Sequence, residues 1–193
     1  MLFRSQADRE KINEFLSRSP RSVIDSSANY MSMLNANSYE KGGWVLHMIR
    51  KQVGNELFRR ILRAYYENYE GKNADTDDFR RIVELITGSD WSTFFKQWLT
   101  QRVNPSLDIN WENSVDGKWI TLNIRQLQNT LPFSFPLSID LVNMQGEKKR
   151  ITIQVTKASQ SFVIASNGYV AGLVIDPDTE LLIDKITEAK IEQ

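Results

Sequence analysis

The side chains that could carry chemistry in this sequence are few, and histidine is the scarcest. His47 is the only one. A catalytic zinc site usually takes two or three histidines with a carboxylate. A Ser-His-Asp triad needs a histidine beside its serine. His47 can supply one member of either set, and no second ligand stands at helical spacing from it. Cysteine is absent, which excludes disulfides, thiol nucleophiles and thiolate metal sites. No phosphate-cradling glycine loop is present. What remains is a short polar run, Tyr39-Glu40-Lys41, directly before Gly42-Gly43. On residue type alone, Tyr39 reads as a helix-start tyrosine that packs its ring. Glu40 and Lys41 could touch substrate or each other, with a structural role favoured. His47 reads as a core or boundary histidine.

These residues lie in a region of helical periodicity. A short amphipathic helix is expected from about Ala7 to Ser17, with Ile12, Phe15 and Leu16 on one face, ended by Ser19-Pro20. A Ser- and Asn-rich loop follows to Ser38. The next helix, from about Tyr39 to Val53, carries almost no polar side chain between Gly42 and Ile49 and so should be buried on most sides. Gly54 is its stop and Asn55 the cap of a helix reaching Tyr69, with Leu57, Phe58, Ile61, Leu62, Tyr65 and Tyr69 in one stripe. Thr76 is expected to cap a helix with Asp77 and Asp78 in its first turn. Ser89 is expected to cap another, in which Trp91, Phe94, Phe95 and Trp98 form core.

Beyond Asn104-Pro105 the period becomes two. Leu107, Ile109 and Trp111 alternate with polar residues, as do Ile120, Leu122 and Ile124. Phe133 to Leu141 and Ile151 to Val155 repeat the pattern. Shorter apolar runs lie at Phe162–Ala165, Leu173–Ile175 and Leu181–Ile183, with turn signals between the runs. Seven short strands in about ninety residues indicate a sandwich. The expected fold is α+β in two domains: a helical array over 1–103 and an all-β, immunoglobulin-like sandwich over 104–193. The Lys148-Lys149-Arg150 run is expected as a solvated edge charge that discourages strand pairing.

Composition narrows the partners. The 193 residues hold 24 basic and 24 acidic side chains, so no electrostatic footprint for nucleic acid or an anionic membrane is visible. No apolar run approaches the ~20 residues of a membrane-spanning helix. Arg4 follows only three residues, leaving no signal-peptide core.

The segment Ser38-Tyr39-Glu40-Lys41-Gly42-Gly43-Trp44-Val45-Leu46-His47-Met48-Ile49 resembles the Y-x-K-G pattern of M1 (gluzincin) zinc aminopeptidases. Further blocks follow in the family's order: Val53 to Phe58, Arg63 to Tyr66, Ala74 to Phe79, and Ser89 to Leu99. Asn104-Pro105 with Leu107 and Trp111 resembles the start of the family's sandwich domain, and Asp176-Pro177 before Leu181-Leu182 resembles its close. The blocks span about residues 18–111.

The resemblance implies a catalytic zinc held by H-E-x-x-H and a downstream glutamate, with the motif glutamate as general base. It also implies a G-x-M-E-N segment that holds the peptide's amino group. None of these motifs occurs in this sequence. The chain therefore resembles the part of such an enzyme that follows the zinc ligands, with its natural N-terminus upstream and a periplasmic, secreted or cytoplasmic location left open. Tyr39 matches the family tyrosine whose hydroxyl donates to the oxyanion of the tetrahedral intermediate. The expected function is a C-terminal fragment of a zinc aminopeptidase, inactive alone, with no metal or cofactor site of its own and zinc in the intact parent. Its expected partners are a peptide substrate and its own N-terminal catalytic region. Self-association is expected through apolar surface around Tyr39 and Trp44. A non-catalytic interaction module is the alternative, and a self-contained enzyme with another mechanism is disfavoured by the sparse chemistry.

Overall fold

A computed structural model describes residues 5–18, 21–24 and 37–191. The expected break at Ser19-Pro20 and most of the loop before Ser38 lie outside the described residues. The chain divides into two compact units, residues 20–102 and residues 1–19 with 103–193.

The helical unit contains a π-helical turn, Asn37–Lys41, running directly into α2, Gly42–Val53. It continues with α3, Asn55–Tyr69, α4, Thr76–Thr87, and α5, Ser92–Thr100. Gly54 ends α2 with φ +83°, and its N–H returns to the Arg50 carbonyl. A left-handed backbone of this kind favours glycine. Three expected caps change. Asp75, not Thr76, caps α4 and shares a reciprocal capping box with Asp78. The last helix starts at Ser92, whose N–H is held by Asp90 Oδ1 at 2.7 Å. Asn55 does not cap α3; its Oδ1 accepts from Arg50 Nε at 2.6 Å.

The core of this unit is aromatic. Phe79 stands edge-on to Tyr65 at 5.1 Å and to Phe95 at 6.1 Å, and Phe94 links Phe95, Trp91 and Trp98. Such pairs add ~0.5–1.5 kcal/mol each beyond area burial. Trp98 and Trp44 are fully buried. In α3 only Ile61 is buried, while Leu62 and Tyr66 are exposed.

Among its described residues the second unit holds seven strands: β1 (Ser106–Asn113), β2 (Trp119–Gln126), β3 (Phe135–Asn143), β4 (Lys148–Val155), β5 (Ser159–Ala165), β6 (Val170–Ile175) and β7 (Lys185–Lys190). One sheet runs β5-β2-β1-β7 and the other β4-β3-β6. Alternation sets the register. Leu107, Ile109 and Trp111 of β1, Ile120, Leu122 and Ile124 of β2, and Phe135, Leu137, Ile139 and Leu141 of β3 are all buried. The arrangement departs from a constant-type immunoglobulin sandwich, in which the fourth strand joins the sheet of the first two and the seventh joins the sheet of the third. Here β4 joins β3, and β7 pairs parallel with β1.

Two expectations change in this unit. Leu181, Leu182 and Ile183 are buried but not in a strand; the last strand is the mostly exposed Lys185–Lys190. Three consecutive buried side chains cannot share one face of a strand. β7 is fastened by its backbone pairing, by Trp111 Nε1 donating to Glu188, and by Lys190 5.3 Å from the Trp111 ring centroid. The other change concerns the first helix. α1 (Gln6–Arg18) belongs to the sandwich unit rather than to the helical array. Arg9 Nη1 lies 2.6 Å from Asp176 Oδ2, with both side chains almost fully buried. Asn13 Nδ2 donates to the Ile183 carbonyl at 2.7 Å and its Oδ1 accepts from Asn104 at 2.8 Å.

Arg150 is also more than a solvated charge on the edge strand β4. It grips Asp140 through Nε at 2.7 Å and Nη2 at 3.1 Å, and reaches Asp178 at 2.5 Å.

Candidate functional site

The candidate site is built at the junction of the π-turn and α2. A π-helical turn inserts one extra residue per turn relative to an α-helix and tends to occur at functional positions. Tyr39 sits in the middle of it with 65% of its surface exposed. Its ring does not pack into the core, so the reading of Tyr39 as a packed helix-start residue fails. Its hydroxyl makes no hydrogen bond to another described residue. Glu40 is exposed as well.

Lys41 has the opposite environment. Its side chain is fully buried, and Nζ donates to the Gln101 carbonyl at 2.8 Å. Gln101 is the residue that terminates α5. Burial alone lowers the Lys41 pKa from 10.5 to about 8. Lys41 therefore does not pair with Glu40. Sequence reasoning missed this inversion because lysine next to glutamate ordinarily marks a solvated turn. The only legible signal was position: Lys41 is the last side chain before two glycines and a buried tryptophan.

Trp44 is fully buried, which corrects the expectation of exposed apolar surface around it. The exposure sits instead at Tyr39 and at Leu46, Leu62 and Tyr66. His47 is half-buried and meets Trp44 edge-on, with ring centroids 5.9 Å apart.

The described residues do not fit a zinc centre. His47 is the one histidine of the sequence. Among the described residues no group of three or more His, Cys, Asp or Glu side chains could hold a metal ion. Among the same residues no helix is long and apolar enough to cross a membrane.

A surface cavity of about 360 Å³ lies in the sandwich between Asn143, Lys148, Lys149 and Asn167. It is remote in sequence from Tyr39 and contains no histidine.

Residues 3–98 match the family model for the peptidase family M1 domain. Aminopeptidase N of Escherichia coli K12 is 28% identical over 141 residues, covering 65% of this chain and 16% of that protein. Leucyl aminopeptidase of Saccharolobus solfataricus is 27% identical over 144 residues, covering 70% and 18%. Glutamyl aminopeptidase of Rattus norvegicus is 24% identical over 159 residues, covering 81% and 17%. The fold is similar to that of a crystal structure of Legionella pneumophila aminopeptidase A in complex with aspartic acid. That match has a TM-score of 0.73 at 18% identity and covers 87% of this chain and 20% of that one. The chain spans less than a fifth of the length of each of the three relatives matched by sequence. With the Y-x-K-G segment, the ordered helical blocks and the sandwich together, the chain belongs to peptidase family M1.

Proposed function

We propose that this chain is the portion of a zinc aminopeptidase that follows the zinc ligands, forming one wall of the cleft and contributing Tyr39 to catalysis. The observation that carries the reading is the exposure of Tyr39 on a π-turn anchored by a buried neighbour. In a peptide-bond hydrolysis, negative charge builds on the carbonyl oxygen as it is attacked. A neutral phenol aimed at that oxygen donates a hydrogen bond that strengthens as the charge develops. The metal ligands and the general base belong to polypeptide outside this sequence, and the substrate is the free N-terminal end of a peptide. The chain by itself cleaves nothing on this reading.

Exposed Leu46, Leu62 and Tyr66 support a helical unit built to be covered by the rest of the catalytic domain. The same surface supports self-association of the isolated chain. The reading is tested by Tyr39→Phe in the polypeptide that joins this chain to the zinc-bearing region, assayed on amino-acid anilides. Turnover should fall about 100-fold, the value of one oxyanion donor, with KM little changed. Unaltered turnover would remove Tyr39 from the mechanism.

A further inference from the structure

We propose that Lys41 is a positioning residue, a tether that fixes the Tyr39 turn onto the C-terminal end of α5. The catalytic consequence rests on the proposed role of Tyr39; the tether itself does not.

Lysine is almost never fully buried unless paired, yet Lys41 is fully buried, and its acceptor is the Gln101 main-chain carbonyl at 2.8 Å. That carbonyl is at the end of a helix, where unsatisfied oxygens carry partial negative charge and favour a cation. Gln101 Oε1 is buried there too, with no hydrogen-bond partner among the described residues. Among the described residues the end of α5 thus presents acceptors and no carboxylate. Glu40 beside Lys41 and Arg102 beside Gln101 are both exposed, and burial is the one cause of the lowered Lys41 pKa.

The geometry gives the lysine a local task. The π-turn ends at Lys41, and Gly42 and Gly43 follow with no side chains to hold the junction. Tyr39, two residues earlier, is open to solvent. A side chain that reaches from the turn to an element sixty residues away fixes where the turn sits. A buried ammonium without a counter-ion is costly for the fold, and a methionine of similar length would fill the space without that cost. A group that lowers global stability while ordering one turn is expected where placement of that turn matters.

The test uses the 193-residue chain and needs no activity. Amide exchange protection of residues 39–41 is measured in the native sequence and in Lys41→Met. The variant should lose about tenfold protection there, the value of one charge-assisted hydrogen bond, while α3 and α4 keep theirs and the melting temperature does not fall. In the native chain, protection corrected for intrinsic exchange should rise from pH 7 to 9, because opening the turn returns Lys41 to water, where it keeps its proton, and in the variant it should be flat. Because the sequence has no cysteine, Lys41→Cys can be aminoethylated in denaturant and refolded, and this should restore protection. Unchanged protection in Lys41→Met overturns the tether. So does loss spread over the whole helical unit with a lower melting temperature, since that marks ordinary core packing. If the tether holds but Tyr39→Phe leaves turnover intact, the proposed function fails and the tether stands.

Discussion

Tyr39 and Lys41 are two residues apart and have opposite fates, and the chemistry assigned to the turn depends on that contrast. Tyr39 is open to solvent and Lys41 is sealed. Burial holds the pKa of the Lys41 ammonium at about 8, against 10.5 for the free side chain. Below pH 8 both folded and unfolded chains carry the proton, and the full cost of burying the charge is present. Between 8 and 10.5 the folded chain has released the proton and the unfolded chain has not, so stability rises with pH. The gain should approach ~3 kcal/mol by pH 10.5, because each pH unit between the two values contributes about 1.36 kcal/mol. Urea unfolding at pH 7.5 and 10.5 checks it, and Lys41→Met should abolish the difference. A pH-independent native chain would contradict the buried charge. None of this was legible in the sequence, where Lys41 is one more polar residue at a helix start; the exposure of Tyr39 was legible only through its motif.

At the scale of elements, α1 is held to the sandwich by one buried ion pair. Asp176 adopts φ +49° and also accepts from the Glu180 and Leu181 N–H groups at 2.9 and 3.2 Å. Asp176→Asn tolerates that backbone but removes the charge facing Arg9. It should cost about 3 kcal/mol, as breaking one side of a buried pair does. Adding Arg9→Met to Asp176→Asn should recover part of that cost, because no unpaired charge is then left buried. Chemical denaturation of the three proteins measures this, and an Asp176→Asn chain as stable as the native one would refute it.

A second pair behaves differently with pH. Hydrogen bonds from Arg150 hold the Asp140 carboxyl below its usual 3.8. Its contribution is therefore present above pH 3.8 and lost as pH falls through the folded value below that. Arg150→Met should remove that acid-side dependence, read from unfolding between pH 2 and 5.

Periodicity revealed α2 through α5 and β1 through β4, and short apolar runs marked β5 and β6; the burial alternates most regularly in β1, β2 and β3. Periodicity failed at Leu181–Ile183, a buried loop, and at Lys185–Lys190, a strand with little buried face. It also misplaced α1, because a helix's pattern records that one face is buried and says nothing of what buries it. Ile12 and Leu16 fit either unit; Arg9 and Asn13 decide, and their partners are more than ninety residues away.

At the scale of the whole molecule, the chain matches the peptidase family M1 domain over residues 3–98 and spans less than a fifth of the relatives it matches by sequence. One histidine and no metal-holding cluster among the described residues predict that the isolated chain retains no zinc after dialysis and hydrolyses no amino-acid anilide. Elemental analysis and a chromogenic assay check both, and stoichiometric zinc or measurable turnover would show a site of a different kind. The most direct test of the central claim is to sequence the source gene upstream of the Met1 codon. The account predicts an in-frame H-E-x-x-H with a glutamate further along. A stop codon immediately upstream, with a ribosome-binding site, would contradict it and leave a peptidase-like interaction module.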